Sequence, residues 1–163
     1  MIDQTQTTLD VAIYSLTHPD IVSALQRAAK RGVKVRIIAD RSQSEGKAMT
    51  EALKILGSIS IHIKVNTHSG LMHLKVVIAD QQVTTTGSFN FSKAVATIND
   101  EVLLVIKNPD VAKSFAAEFE SMWQDTKRFA SISPKIASAG SVPAAPAAGS
   151  ETLSGSCSTK TIT

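Results

Sequence analysis

The sequence predicts an α/β protein with one folded domain at residues 1–130 and a disordered low-complexity tail at residues 131–163. Strand and helix patterns alternate along the first half of the chain, which is the main reason for this fold class. The 163 residues are 43% hydrophobic, enough for one buried core. From Ser131 onward, serine, alanine, proline, glycine and threonine dominate, and this composition cannot offset its chain entropy by burial.

The first half of the chain is predicted to form a strand, a helix, a strand, a helix and a strand. Pro19 suits the first turn of a helix, and Gly32 suits its end. After that glycine, apolar residues alternate with Lys34 and Arg36, which is typical of a strand with one buried face. The predicted elements are a strand at 8–16, a helix from Thr17–Asp20 to Gly32, a strand at 33–39, a polar loop at 40–44, a helix at 48–56 and a strand at 59–65.

The second half adds three short strands and an amphipathic helix. A long helix is predicted to begin at Asn108, with Pro109 in its first turn, and its large apolar residues share one face. We expect this face to join the core; it contains Val111, Phe115, Phe119, Met122 and Trp123. The other predicted elements are strands at 74–79, 83–86 and 101–106, a turn at Gln81-Gln82, and a short helix from Asn90 or Ser92 to Ala96.

The first candidates for chemistry are two residues at the start of the strand at 74–79. Side chains alternate along a strand, so His73 and Lys75 lie on one face and Asp80 lies on the other. An imidazole can attack phosphorus or donate a proton, and a neighbouring ammonium can hold the oxygens of a phosphate. A half-buried structural histidine would give the same short pattern.

The loop after the next strand favours the chemical interpretation. Gly87 frees the backbone there, and the short polar side chains of Ser88 and Asn90 follow it. This loop follows the hairpin partner of the strand that carries His73, so a hydroxyl and an amide are expected near the imidazole. Such a group of side chains can bind a phosphodiester without a metal ion.

His73-x-Lys75-x4-Asp80, followed by Gly87-Ser88-x-Asn90, resembles the HKD signature of the phospholipase D superfamily. The segments at 12–17, 31–40 and 115–123 are similar to the small bacterial endonucleases of that superfamily, and the similarity covers about residues 5–129. The resemblance implies a mixed β-sheet flanked by helices. It also implies a protein that hydrolyses phosphodiesters with no cofactor and no metal. It also implies that this domain lacks the family's first strand and helix, with residues 1–5 as the last turn of that helix.

The resemblance assigns roles to individual residues. His73 and Lys75 would be catalytic, whereas Ser88 and Asn90 would bind the substrate. In the family, an acidic residue after the motif hydrogen-bonds the catalytic histidine, and Glu101 matches its position. Periodicity alone favours a solvated strand end for Glu101.

The family mechanism needs two copies of the motif, and this chain carries one. The resemblance therefore implies a homodimer in which both His73 side chains form one composite site. One histidine would form a phosphohistidine, and the other would protonate the leaving oxygen. Asp80 and Gly87 are motif residues for which structural roles are expected.

Three functions stay open at this stage. The first is a nonspecific endonuclease on DNA or RNA, which suits the net charge of +3 and the pI near 9.1. The second is a phospholipase D acting on phospholipid headgroups, although no apolar run is long enough to span a membrane. The third is a catalytically silent dimer that binds nucleic acid.

The remaining polar residues are interpreted as structural or solvated. The start of the chain lacks the features of a signal peptide, so the chain is expected to be soluble as given, and periplasmic or secreted if a signal peptide precedes this start. Cys157 is a single cysteine in the tail, which excludes an intrachain disulfide. A basic cluster is expected to be a solvated surface or to steer a polyanion; it contains Lys30, Arg31, Lys34 and Arg36. The other histidines, expected to be structural or incidental, are His18, His62 and His68.

Overall fold

The computed structural model describes residues 1–59, 61–92 and 99–132, together with the backbone of Lys160–Ile162. The short helix predicted to reach Ala96 lies largely outside these residues. The strands are β1 (Thr8–Ile13), β2 (Lys34–Ala39), β3 (His62–Asn66), β4 (Lys75–Ala79), β5 (Val83–Gly87), β6 (Val102–Ile106), β7 (Phe129–Ile132) and β8 (Lys160–Ile162). The helices are α1 (Pro19–Lys30), α2 (Arg41–Ser44), α3 (Lys47–Gly57) and α4 (Pro109–Gln124), and a 3-10 turn occupies Ile2–Gln4.

The strands form one mixed sheet in the order β7-β3-β2-β1-β4-β5-β6-β8. Strands β1, β2 and β3 are parallel because a helix returns the chain to the same end of the sheet each time. Strands β4, β5 and β6 are antiparallel neighbours, and β4 pairs antiparallel with β1. The α/β class and the mixed sheet flanked by helices are thus confirmed.

The helices cover the two faces of the sheet, and each face has its own core. Helices α1 and α3 pack on one face, where Leu25 and Leu56 are fully buried against β1 and β2. Helix α4 packs on the other face with Phe119 at its centre. The predicted apolar face of α4 is confirmed, since Phe115 and Met122 also pack against this second cluster.

The segment at 41–44, predicted as a loop, is the short helix α2. Its N-cap is Asp40, whose carboxylate accepts a hydrogen bond from the backbone N–H of Gln43 at 3.1 Å. A carboxylate in this position satisfies a free N–H at the helix start, which makes even one turn stable. The polar composition that predicted a loop did not distinguish it from a capped turn.

A partly buried ion-pair cluster fastens α4 to the sheet. Arg36 on β2 makes two hydrogen bonds to Asp10 on β1, at 2.7 and 2.9 Å, and one to Glu120 on α4 at 2.7 Å. Its hydrogen bonds to these carboxylates, chiefly that to Asp10, raise the pKa of Arg36. The prediction of a solvated side chain is therefore wrong for Arg36, because α4 covers its face of the sheet.

The predicted disordered tail at 131–163 contains strand residues near both of its ends. Strand β7 continues two residues beyond 130 and pairs with β3. Lys160–Ile162 pairs in parallel with β6 at the opposite edge, because an edge strand offers free N–H and C=O groups to any extended segment. Residues 133–159, where disorder is predicted, lie outside the described part of the chain. Within that part, no helix combines the length and the apolarity needed to cross a membrane.

The turn between β4 and β5 is centred on Asp80 and Gln81, one residue earlier than predicted. Both residues have a φ of +53°, and the N–H of Gln82 donates to the carbonyl of Ala79 at 2.9 Å. Positive φ at both central residues is the type I′ geometry, which matches the twist of a hairpin but strains residues that have a Cβ.

Replacing Gln81 by glycine should stabilise the protein. Gln81→Gly removes the Cβ strain at an exposed position, so we expect the free energy of unfolding to rise by about 0.5–1 kcal/mol. Urea denaturation of the variant and the wild type measures this difference. Gln82→Gly is the matched control, because Gln82 has a negative φ and should lose stability; equal effects of the two changes would contradict the assignment of strain to Gln81.

Candidate active site

All the motif residues except Asp80 meet at one end of the sheet, where β1 and β5 end and β4 begins. The chain segments there are held together by backbone hydrogen bonds. Tyr14, just after β1, donates its N–H to the carbonyl of Leu74 at 2.9 Å. Phe91, in the loop after β5, donates to Ser15 at 3.0 Å and accepts from Thr17 at 2.7 Å. These bonds place the loop at 88–91 beside the segment that carries His73.

His73 and Lys75 lie in contact, as the strand alternation predicts. The ammonium nitrogen of Lys75 is 3.3 Å from Nδ1 and 3.4 Å from Nε2 of the imidazole, and it donates to the His73 carbonyl at 2.8 Å. His73 is exposed, whereas Lys75 is 7% exposed. Burial lowers the pKa of Lys75, and the negative charge of Glu101 offsets part of this effect. The pair therefore offers an accessible nitrogen beside a fixed positive charge.

Tyr14 is a site residue that the sequence did not single out. Its ring centroid lies 4.6 Å from that of His73, with an angle of 57° between the ring planes. The Lys75 nitrogen lies 5.2 Å from the centroid of the same ring. No local signal marked it, because the strand predicted at 8–16 includes Tyr14. In the structure β1 ends at Ile13, which leaves Tyr14 at the end of the sheet where α/β proteins tend to place ligand sites.

Glu101 contacts Ser88 in this structure. The Ser88 hydroxyl donates to the Glu101 carboxylate and accepts the N–H of Val102 at 3.1 Å. The family resemblance implied a hydrogen bond from Glu101 to the catalytic histidine, but none of the described hydrogen bonds of the single chain joins Glu101 to His73. The short side chain of Ser88, in the loop beside the start of β6, is the nearer partner.

Asn90 and Gly87 complete the loop. The side-chain oxygen of Asn90 is buried and finds no hydrogen-bond partner among the described residues. An unpaired buried acceptor is costly in the free protein, and an N–H or O–H group of a bound molecule would satisfy it. Gly87 has a φ of +148°, and a Cβ built there would lie 2.0 Å from the carbonyl oxygen of Val102.

The loop that leads to His73 is fixed by two buried polar side chains that the sequence did not single out. The carboxylate of Asp40 accepts the N–H of Met72 at 2.9 Å, one residue before His73. Burial alone would raise the pKa of Asp40, but hydrogen bonds from Ser42, Met72 and Gln43 outweigh it and lower the pKa. Asn66 donates to the carbonyl of Gly70 at 2.8 Å.

Asp80 lies at the far end of β4, away from His73. Its carboxylate accepts hydrogen bonds from the backbone N–H groups of Gln6, Thr7 and Thr8 and from the Thr7 hydroxyl, at 2.7 to 3.0 Å. Partial burial would raise its pKa, but these donors outweigh the effect and lower the pKa to about 2. In the structure, this motif residue anchors the start of β1 to the hairpin.

A groove leads from His73 towards the end of α4. Its lining includes Leu71 and Leu74, which are 55% and 41% exposed, together with His68, Arg128 and the acidic Glu118. An adjoining groove is almost entirely apolar; its lining includes Ala12, Leu74, Val76, Phe115 and Met122, with Glu118 shared between the two grooves. The site therefore adjoins both charged and apolar surfaces.

The remaining histidines and basic residues lie outside the motif cluster. His18 caps α1 by accepting the N–H of Asp20 at 3.3 Å, and His62 is exposed on β3. Arg31 is held by the carbonyl of Ile2 at 3.1 Å. In the part of the chain that the structure describes, no three histidine, cysteine or acidic residues are grouped to hold a metal ion. Cys157 lies outside that part.

Comparison with known proteins places most of the chain in one family. The family model described as cardiolipin synthase, PLD-like domain, matches residues 1–123. Nuc of Salmonella typhimurium, a phospholipase D family member with a crystal structure, is 33% identical; the match has a TM-score of 0.73 and covers 80% of this chain and 85% of Nuc.

Two curated relatives are similar over a comparable part of the chain. A phospholipase D of Rickettsia conorii is 34% identical over 114 residues, which is 70% of this chain and 56% of that protein. A mitochondrial cardiolipin hydrolase of Chlamydomonas reinhardtii is 28% identical over 116 residues, which is 71% of this chain and 51% of that protein. The chain thus spans about half the length of these relatives.

Proposed function

The chain belongs to the phospholipase D superfamily, and from this membership we propose that it is a phosphodiesterase, with nucleic acid as its substrate. The observation that carries the proposal is the contact between the exposed His73 imidazole and the buried Lys75 ammonium, at 3.3 Å. A nucleophilic nitrogen next to a fixed cation is what attack on an anionic phosphodiester requires.

The proposed reaction has two steps. A ring nitrogen of His73 attacks phosphorus and forms a P–N bond, while the bond from phosphorus to the leaving oxygen breaks and a second histidine gives that oxygen a proton. In the second step this second histidine takes a proton from water, whose oxygen attacks phosphorus, and the P–N bond breaks. Lys75 and Asn90 hold the phosphate oxygens, and Ser88 assists them.

The second histidine requires a second copy of the chain, because the sequence contains one motif. We propose a homodimer with a two-fold axis next to His73, so that both His73 side chains share one phosphodiester. His73 and the neighbouring Leu71 and Leu74 are exposed at this end of the sheet, which leaves room for such an approach. In the dimer, Glu101 is proposed to orient the histidines.

Two features favour nucleic acid as the substrate. The motif and its flanking segments resemble the small endonucleases of the superfamily, and Nuc matches this chain over most of its own length. The groove next to His73 also contains Arg128, whose guanidinium suits a neighbouring phosphate of a polyanion, and His68, beside one acidic residue, Glu118. The described residues contain no motif that reads base edges, so cleavage is expected to be nonspecific.

A phospholipid headgroup is the second candidate substrate, and one observation favours it. The apolar groove that begins at Leu74 and runs between β4 and α4 adjoins the site. An acyl chain could occupy such a surface while its phosphodiester reaches His73. A silent nucleic-acid-binding dimer is the third possibility, and a turnover assay separates it from the other two.

Hydrolysis in EDTA is the test of the proposal. Plasmid DNA, bis(p-nitrophenyl) phosphate and vesicles of phosphatidylcholine with cardiolipin are each incubated with the protein at a concentration where it is dimeric by light scattering. We expect DNA and the small diester to be cleaved and EDTA to leave the rates unchanged, because histidine and lysine supply the nucleophile and the charge.

Each other outcome points to a different conclusion. Faster release of the lipid headgroup than cleavage of DNA would select the phospholipid alternative. Loss of all activity in EDTA would contradict the histidine mechanism. DNA binding that weakens with salt, without turnover of any substrate, would support the silent module instead of an enzyme.

A further inference from the structure

We propose that Tyr14 is a positioning residue that holds the imidazole of His73 and the ammonium of Lys75 in their reactive arrangement, and that Gln43 on α2 fixes Tyr14 in turn. This inference rests on the proposed phosphodiesterase function. It adds two residues, neither of which belongs to the motif, and gives the short helix α2 a role in the site.

The ring of Tyr14 contacts both motif side chains. Its centroid is 4.6 Å from that of His73, within the range of packed aromatic rings, and the 57° tilt brings an edge of one ring towards the face of the other. The ammonium of Lys75 lies 5.2 Å from the same centroid, within the range of a cation–π contact. One rigid ring therefore limits the motion of an exposed imidazole and a long lysine side chain.

The hydroxyl of Tyr14 is itself held by α2. It accepts a hydrogen bond from the side-chain amide of Gln43 at 3.1 Å. Gln43 is fixed because its backbone N–H donates to Asp40 at 3.1 Å. The same carboxylate accepts the N–H of Met72, next to His73 in the chain. Asp40 thus fixes His73 through the backbone on one side and through Gln43 and Tyr14 on the other.

This arrangement answers a physical need of the proposed reaction. His73 precedes β4 and is exposed, so the sheet does not restrain its side chain. An unrestrained imidazole would spend much of its time away from the attack geometry, and an error of about 1 Å in placement can cost about 10²-fold in rate. A tilted aromatic ring restrains it while leaving it open to substrate.

Kinetics of Tyr14→Phe, Tyr14→Leu and Gln43→Leu test the inference, with bis(p-nitrophenyl) phosphate as substrate. Tyr14→Leu removes the ring, and we expect kcat to fall about 10- to 100-fold while KM changes little. Tyr14→Phe keeps the ring but loses the hydrogen bond from Gln43, and Gln43→Leu loses the same bond, so each of these variants should lose only a few-fold in kcat. Ser44→Ala on the same helix is the control, since the side-chain hydroxyl of Ser44 bonds only the Arg41 carbonyl among the described residues.

The pH profile separates positioning from a general loss of structure. The groups that face Lys75 are His73, Tyr14 and Glu101. Removing the ring removes stabilisation of the ammonium. In Tyr14→Leu the alkaline limb of the pH–rate profile, which reports deprotonation of Lys75, should therefore move to lower pH by about half a unit. In Tyr14→Phe the limb should stay in place.

A spectroscopic measurement tests the geometry without turnover. The ring current of Tyr14 should shift the Cε1 proton of His73 in NMR spectra, and the shift should persist in Tyr14→Phe and vanish in Tyr14→Leu. An unchanged proton shift in Tyr14→Leu, or equal losses of kcat in the Phe and Leu variants, would overturn the inference. A wild type that cleaves no phosphodiester would overturn the proposed function alone, because the NMR result still decides whether Tyr14 holds His73.

Discussion

Replacing His73 by asparagine should reduce phosphodiester hydrolysis by roughly 10⁴-fold or more, the scale on which loss of a nucleophile acts. In the proposed mechanism the imidazole nitrogen attacks phosphorus, and in the proposed dimer the same residue of the other copy donates the proton. The change therefore removes both functions at once. The fold should be unaffected, because the His73 side chain is exposed and contributes nothing to either core cluster.

His62→Asn is the matched control for this prediction. His62 is also an exposed histidine. It is the first residue of β3 and lies at the end of the sheet opposite to His73. Rates with bis(p-nitrophenyl) phosphate and melting temperatures are measured for both variants. Residual activity of His73→Asn within tenfold of the wild type would exclude His73 as the nucleophile.

Mixing the two proteins extends the test to the composite site. When wild type is incubated with an excess of His73→Asn, exchange of subunits should place most wild-type chains in mixed dimers. These dimers lack one of the two required histidines, so the specific activity of the wild type should fall. An excess of His62→Asn should have no such effect, and equal activity in both mixtures would argue for an independent site in each chain.

Replacing Gly87 by alanine should destabilise the protein by about 3 kcal/mol and remove most of its activity. A Cβ at Gly87 would lie 2.0 Å from the carbonyl oxygen of Val102, so β5 and β6 must separate. That carbonyl accepts the N–H of Ser88 at 3.0 Å, and Glu101 is the residue before it. The clash therefore disturbs the part of the loop that carries the Ser88 hydroxyl, which is proposed to bind the substrate.

Gly32→Ala provides the comparison. Gly32 also has a positive φ, of +90°, but a Cβ there meets no atom within 4 Å. The free energy of unfolding of this variant should fall by only about 1 kcal/mol, the conformational cost of a positive φ, and its activity should be kept. Urea denaturation and the diester assay are run on both variants. Equal destabilisation by the two changes would show that backbone conformation, and not contact with β6, explains Gly87.

Local patterns in the sequence were sufficient for most of the fold. Proline at the start of α1, the glycine after it and the alternation along β2 placed these elements within a residue or two, because caps and periodicity act over a few neighbouring residues. Strand alternation also predicted that His73 and Lys75 lie together, and the two side chains are in contact although β4 begins only at Lys75. The turn before β5 was predicted one residue too late, because the local pattern did not mark Asp80 for positive φ.

The sequence by itself therefore determined the elements, the α/β class and the pair at the start of β4. Only the tertiary structure decided which distant groups surround that pair. Tyr14 meets His73 because β1 and β4 are neighbours in the sheet, and Gln43 reaches Tyr14 because Asp40 caps α2. Such contacts depend on strand order and helix placement, which arise from packing of the whole chain and leave no local pattern in the sequence.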